Sequence, residues 1–437
     1  MIYGLFVLLA SLGSLFFLFN TGQLSAEKTK LVNTADAVAY SAGVMHARAL
    51  NFNSYTNRAM IADEILVAQM VSTISWARYI DQHASNAPTL LCNTYYNIPF
   101  GLLMLKYTPL CMGLAYPGAR NLIKTTEQVV EIAGRTAVGL SEAAKLNLQL
   151  AQSTMFVTLV AGRHDLLQQV ADANYKNDGV VKVDDALTQA LFTDDLLRFD
   201  GGPFISLYTG NDRTRFRNFE VQTAMKDGFV QNRAWSDSTF PSLGCFVQPQ
   251  GSANRTGSTT MNGFTEWRAT DRATFTKRSW HWSLFSSGCK TDISRTMGSA
   301  TVRARQNAGG NDLPYSGVPN YYELSAKALT YTPENQDTSK RDPRLRFAIR
   351  LTRANTEAKT SMGKSQIKPT GELNIFQGKE AKNVMAAVAT SEVFFERSKR
   401  ENGKTELASL FNPFWQVHLV GNSTADVAAA IALQATP

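Results

Sequence analysis

No charged side chain precedes Glu27, and no Lys or Arg precedes Lys28. Residues 1–19 (MIYGLFVLLASLGSLFFLF) are apolar or small throughout. At about 1.5 Å of rise per residue, such a run makes a helix of roughly 28 Å, close to the hydrocarbon thickness of a bilayer. A secretory signal peptide would carry a basic start, a shorter apolar stretch and a small-residue cleavage site, so that reading fits poorly. A plain signal-anchor keeps Lys or Arg on its cytoplasmic side to set orientation, and none is present. Two environments accept the helix: a bilayer, or a bundle of identical helices inside a filament. The filament core is the first expectation, with Leu5, Leu9, Leu12, Phe16 and Phe19 as its packing residues.

Cysteine is scarce as well. Cys92, Cys111, Cys245 and Cys289 are the only four, and no pair has the CxxC spacing of zinc or redox sites. In a body outside the cytoplasm, Cys92–Cys111 and Cys245–Cys289 are the most local of the three connectivities open to four cysteines. Catalytic constellations are missing too. The five histidines (His46, His83, His164, His281 and His418) are dispersed, and neither HExxH nor a GxSxG elbow occurs. Met362-Gly363-Lys364-Ser365 ends like a phosphate-binding loop, but Ala358 stands where the earlier glycine belongs. Asp172–Asp178 fails as a calcium loop, because Lys176 sits where an oxygen ligand is needed. The expectation is a protein that is not an enzyme and holds no cofactor or metal.

What is present is a large folded body. Charged residues make up 18% and aromatics 10%, which supports packed cores rather than a disordered tail. The net charge of +8 is spread over scattered Lys and Arg and reads as a solvated surface. Leu31, Ala35, Val38, Ala42, Met45, Ala49 and Phe52 recur at alternating spacings of four and three, a packing stripe on a helix. No Pro interrupts residues 1–87, so one helix from the apolar run to about residue 80 is predicted, with Gly13, Gly22 and Gly43 as soft points. A proline-rich loop follows over 86–118. A second helix is predicted over 119–172, packing antiparallel on the first through Val129, Ala133, Ala137, Leu140, Ala144, Leu148 and Ala151. A short helix is predicted over 184–198.

Beyond residue 200 the texture turns to β. Gly263–Phe275, Arg344–Arg353, Val384–Arg397 and Trp415–Val420 read as strands; Gly251–Ser258 and Ala308–Asp312 read as loops. The Arg344–Arg353 tract alternates, with Leu345, Phe347, Ile349 and Leu351 on one face. Arg344, Arg346, Arg350 and Thr352 occupy the other, a wet cationic face that is a candidate polyanion site, although cross-strand ion pairs explain it at less cost. Arg213, Arg215 and Arg217 alternate in the same way. The fold class is therefore α+β, in three parts: an apolar helix (1–22), a helical stalk (23–199) and a β-rich head (200–437).

Two stretches carry a family resemblance. Asn33-Thr34-Ala35-Asp36-Ala37-Val38-Ala39-Tyr40-Ser41-Ala42, just after an apolar helix, resembles the Ala-rich stretch of TadE/TadG-like proteins of tight-adherence (Flp-type) pilus systems. Glu406–Gln416, preceded by Ser391–Arg397, is similar to the end of large TadG-like proteins. The resemblance implies a type IV pilin-like, pilus-associated bacterial protein on the cell surface, or in the inner membrane with its body outside the cytoplasm. It implies copies of itself and a pilus-assembly machinery as partners, with the head free to meet a surface or polyanion ligand. Type IV pilins carry a glutamate at the fifth mature position; if residue 1 is the mature N-terminus, that position is Leu5, and apolar packing would have to hold the assembly. The alternative is a single-span, membrane-anchored assembly or adhesin-like protein.

Overall fold

The computed structural model describes residues 2–90, 109–238, 244–247, 250–283, 285–333, 341–354, 357, 359–360, 363–364, 384–397 and 406–435. Helix α1 runs without a break over Ile2–Leu90, and α2 over Ala119–Asn174. The expected end of α1 near residue 80 is ten residues short. Pro88 lies in its last turn, where a missing N–H removes one hydrogen bond just before the helix stops. Gly43 is no soft point. A Cβ there would collide with Val417 Cγ2, so this glycine lets the helix backbone approach a strand.

The described chain is α+β, with several sheets following the long helix. It forms two compact units, and they do not follow a boundary near residue 199. One comprises Met1–Asn57, Leu150–Leu207 and Tyr322–Pro437; the other comprises Arg58–Gln149 and Tyr208–Tyr321. Each takes a length of both helices and its own sheet, because the apolar stripes of the helices are buried by strands from far along the chain.

In the first unit, β1 (Val181–Asp184), β9 (Leu345–Ala354), β12 (Val384–Phe395) and β13 (Trp415–Val420) form an antiparallel sheet in that order. Its inner face sets Phe347, Ile349, Leu351, Met385, Ala387 and Ala389 against Leu31, Ala35, Val38 and Ala42 of α1 and Leu167 and Ala171 of α2. On its outer face, helix α4 (Thr424–Ala435) and Phe192 pack over Val388. The alternation of β9 is as predicted, but its outer face is covered, so every residue from Phe347 to Arg353 is buried. The helix expected over 184–198 is instead the end of β1, a turn and one helical turn at Asp195–Arg198. Val183 pairs with Leu351, and Asp185 Oδ1 accepts from the amides of Leu187 and Thr188, which favours a turn over a helix. Strand β2 (Ile205–Tyr208) pairs with β8 (Tyr321–Leu324), and β10 (Lys359–Thr360) with β11 (Gly363–Lys364).

The second unit is built on β3 (Trp235–Ser238), β4 (Gln250–Asn262), β5 (Glu266–His281), β6 (Gly288–Arg305) and β7 (Leu313–Pro314), in that order. Gly251–Ser258 is therefore strand, not loop. It pairs with β5 from Gly251–Lys277 to Ser258–Thr270, and its partner supplies the strand-forming residues it lacks. Tyr79 and Ala87 of α1 pack on Ala253, Ala273, Phe275 and Met297 of this sheet. Arg213 closes a 3-10 turn, and Arg215 and Arg217 lie on α3 (Thr214–Ala224), so this triplet is helical rather than extended.

Within each unit α1 and α2 run antiparallel, as expected: Gln152 bonds Asn57 and Arg163 bonds His46 in the first, while Arg78 bonds Glu131 and Lys145 bonds Glu64 in the second. The contact face of α2 is not the predicted one. Val129 and Leu140 are exposed, whereas Val138, Ser141, Lys145, Gln152 and Arg163 are buried.

Candidate membrane-spanning or assembly segment

The first five turns of α1 stand uncovered. No residue of the most apolar 18-residue stretch of α1 is buried, and the helix is long and apolar enough to cross a membrane. Leu5, Leu9, Leu12, Phe16 and Phe19 are all exposed, Leu5 at 63% and Phe16 at 42%. So are Phe6, Val7, Leu8, Leu15, Phe17 and Leu18, which places apolar side chains all round the helix. The hydroxyls in this stretch are satisfied internally. Ser11 Oγ donates to the carbonyl of Val7 at 2.8 Å, and Ser14 Oγ to that of Ala10 at 2.9 Å. In a medium without water, a hydroxyl bonded to its own helix adds no unsatisfied group.

Charge begins at a collar in the first unit. Arg353 Nη1 donates to Glu27 Oε2 at 2.6 Å, and Nη2 to the Asp178 carbonyl at 2.7 Å. Its guanidinium and the Lys30 ammonium lie 4.8 and 4.4 Å from the centroid of the Tyr175 ring, and Lys30 also meets Asp178. Lys28 reaches the Ala386 carbonyl, and burial pushes its ammonium below the ordinary lysine value. These contacts tie the first turns after the apolar segment to β9, β12 and the end of α2. Arg353 lies on the apolar face of β9, where alternation alone gives no signal for a charge.

Of the stalk stripe, Leu31, Ala35, Val38, Ala42 and Ala49 are buried, while Met45 and Phe52 are half-buried at its edge. Its partners include a sheet as well as a second helix. The candidate polyanion face is ion-paired. Arg344 meets Asp342 at 2.7 Å and Glu392 at 3.2 Å, Arg346 meets Glu392 at 2.7 Å, and buried Arg350 meets Asp184 at 3.2 Å. Glu392 also receives His418 at 3.1 Å. Burial alone would raise its carboxyl, but the bonds from Arg346 and His418 outweigh that and hold it below the ordinary value. Cys245 and Cys289 form a disulfide. Cys111 is also oxidised, and its expected partner Cys92 lies outside the described residues.

Two buried polar clusters carry no sequence motif. In the first unit, Arg163 donates to Asp194 at 2.6 Å and to His46 Nε2 at 3.1 Å, and its guanidinium lies 4.3 Å from the Phe347 centroid. In the second, Lys145 Nζ donates to Glu64 Oε1 at 2.5 Å, to Glu142 at 2.7 Å and to the Gly317 carbonyl at 2.9 Å. Glu64 Oε2 accepts from Tyr315 at 2.7 Å and Trp267 at 3.2 Å. Gly317 has φ of 97°, and a Cβ there would meet the Phe264 carbonyl at 2.7 Å, so only glycine presents that acceptor. Both clusters are sealed and serve as cross-links between helix and sheet.

His46 gives a pH signature. Burial, then the Arg163 charge, pushes its imidazole down to about 3. Between that value and the unfolded value near 6.5, the unfolded chain binds a proton that the folded chain refuses, so stability is lost as the pH is lowered through this window. The loss is at most about 5 kcal/mol. Urea titrations at pH 7 and pH 4 should show the parent losing more stability than His46→Gln; equal losses would remove His46 from the account. No family model matches this chain, and neither a curated protein nor a solved structure is similar to it.

Proposed function

We propose that this chain is a structural subunit of a bacterial cell-surface, pilus-like filament, polymerising with copies of itself through Leu5, Leu9, Leu12, Phe16 and Phe19. The observation that carries the reading is the contrast along one unbroken helix. Its first window is wholly uncovered and apolar, whereas Leu31, Ala35, Val38 and Ala42 are completely buried. Covering five Leu or Phe side chains is worth on the order of 10 kcal/mol, and within one chain that gain is unrealised. Copies stacked along a common axis would realise it and leave both folded units outside. The resemblance of Asn33–Ala42 to TadE/TadG-like proteins supports the same reading.

The second reading is a single-span anchor for a pilus-associated protein. The all-round distribution of apolar residues and the self-bonded hydroxyls favour it, since lipid surrounds a lone helix on every side. Immunogold labelling of sheared surface filaments, with antibody against the folded units, separates the two. Gold along the filaments supports a subunit; gold confined to the cell envelope replaces that reading with the anchor.

A further inference from the structure

The end of the β5–β6 hairpin is apolar at its tip and cationic behind it. Trp282 is 80% and Phe285 99% exposed. Trp280, two residues before Trp282, meets Phe246 edge to face with ring centroids 5.2 Å apart. The Cys245–Cys289 disulfide ties the helical turn carrying Phe246 to β6, opposite Trp280 in the ladder. The aromatic group is therefore held on a covalently fastened support. A water-facing hairpin gains nothing from four exposed aromatic rings, which makes them a contact surface.

Exposed Arg278, Lys290 and Arg295 follow within a few residues. Arg278 and Lys290 lie three and two residues from the strand ends that border the turn, about 10 Å or less behind it. Asp292, four residues beyond Gly288 on β6, is engaged by His281 at 2.6 Å. A sugar site would need free acceptors beside its rings, and here Ser283 Oγ already accepts from the amides of Phe285 and Ser286 while Asp292 is engaged by His281. A ring-tipped loop with cations one step behind matches the layering of a lipid surface, with acyl boundary below and phosphate above.

We infer that this hairpin tip docks onto anionic lipid bilayers, with Trp282 and Phe285 entering the interface and Arg278 and Lys290 meeting headgroup phosphates. The contact is separate from the N-terminal helix and does not depend on whether that helix sits in a filament or a membrane.

The test uses the full chain with its apolar helix already embedded in phosphatidylcholine nanodiscs, mixed with added vesicles and separated by flotation. Vesicles with 30% phosphatidylglycerol should bind at least tenfold more tightly than pure phosphatidylcholine. Trp282→Ala with Phe285→Ala should weaken that binding about tenfold, and Arg278→Gln with Lys290→Gln should do the same while flattening the salt dependence. Phe285→Ser alone, at a side chain with no packing to lose, guards against a folding artefact and should weaken binding severalfold. Parent-like binding by both double variants overturns the inference. So does a result in which they lose binding to a sulfated glycan but keep their vesicles.

Discussion

Lys145→Met is expected to destabilise the second unit by about 3–5 kcal/mol, the cost of stranding a buried charge. Lys145 is 1% and Glu64 0% exposed, so no water replaces the lost ammonium. Burial alone would lower the Lys145 pKa, but Glu64 and Glu142 outweigh that and lift it above the ordinary lysine value. Methionine keeps the length and apolar stem of the side chain, so the loss is electrostatic rather than a cavity. A change under about 1 kcal/mol in equilibrium urea unfolding would mean that the cluster is not the cross-link described.

Glu220 provides the opposite sign. Burial, then the Glu64 charge beside it, pushes its carboxyl well above the ordinary value. The folded chain therefore holds a proton that the unfolded chain releases above about pH 4.5, and stability drops as pH rises through that window. Glu220→Gln keeps the shape and removes the titration. Its advantage over the parent should widen by about 1.4 kcal/mol per pH unit in the window; a constant gap from pH 5 to pH 8 would contradict the assignment.

The second large effect lies in the apolar segment. Leu9→Asp or Phe16→Asp should abolish assembly and leave both folded units unchanged. Each replaces an apolar side chain worth roughly 1.5–3 kcal/mol on burial with a charge that costs several kcal/mol in a dry environment. In a bilayer the cost of one central Asp is only about 3 kcal/mol, which long apolar flanks can absorb. The two readings thus differ in severity: filaments vanish under the first, while membrane retention survives in part under the second. Normal filaments from either variant would remove the core-helix reading altogether.

Periodicity made some of this molecule legible and hid the rest. The stripe from Leu31 to Ala42 is uninterrupted because its partners are uniformly apolar. The strand at Trp415–Val420 has the expected bounds. Helix α2 was legible in extent but not in orientation. Its buried face carries Ser141, Lys145, Gln152 and Arg163, whose partners include Glu64, His46, Asp194 and the Gly317 carbonyl, and polar burial of that kind leaves no apolar repeat. The helical pattern over 184–198 yielded to the last residue of β1, a turn and one helical turn at Asp195–Arg198, because Asp185 Oδ1 claims the amides of Leu187 and Thr188. Gly251–Ser258 reads as a loop by composition, yet its carbonyls and amides are claimed by β5. Arg346 and Arg350 were placed on the outer face of β9 and Arg353 on neither face, and the sequence did not reveal that Glu392 and Asp184 would meet the first two.

Photocrosslinking at the apolar helix separates a filament core from a lipid-facing span. With Phe16 replaced by p-benzoylphenylalanine in cells that display the protein, irradiation should link each chain to its neighbour and give a ladder of multiples of the chain mass. The filament account predicts that ladder, with tryptic cross-links joining the residue 16 peptide to other copies of the same apolar segment. Monomer and lipid adducts alone, from protein present at the surface in normal amount, would contradict it.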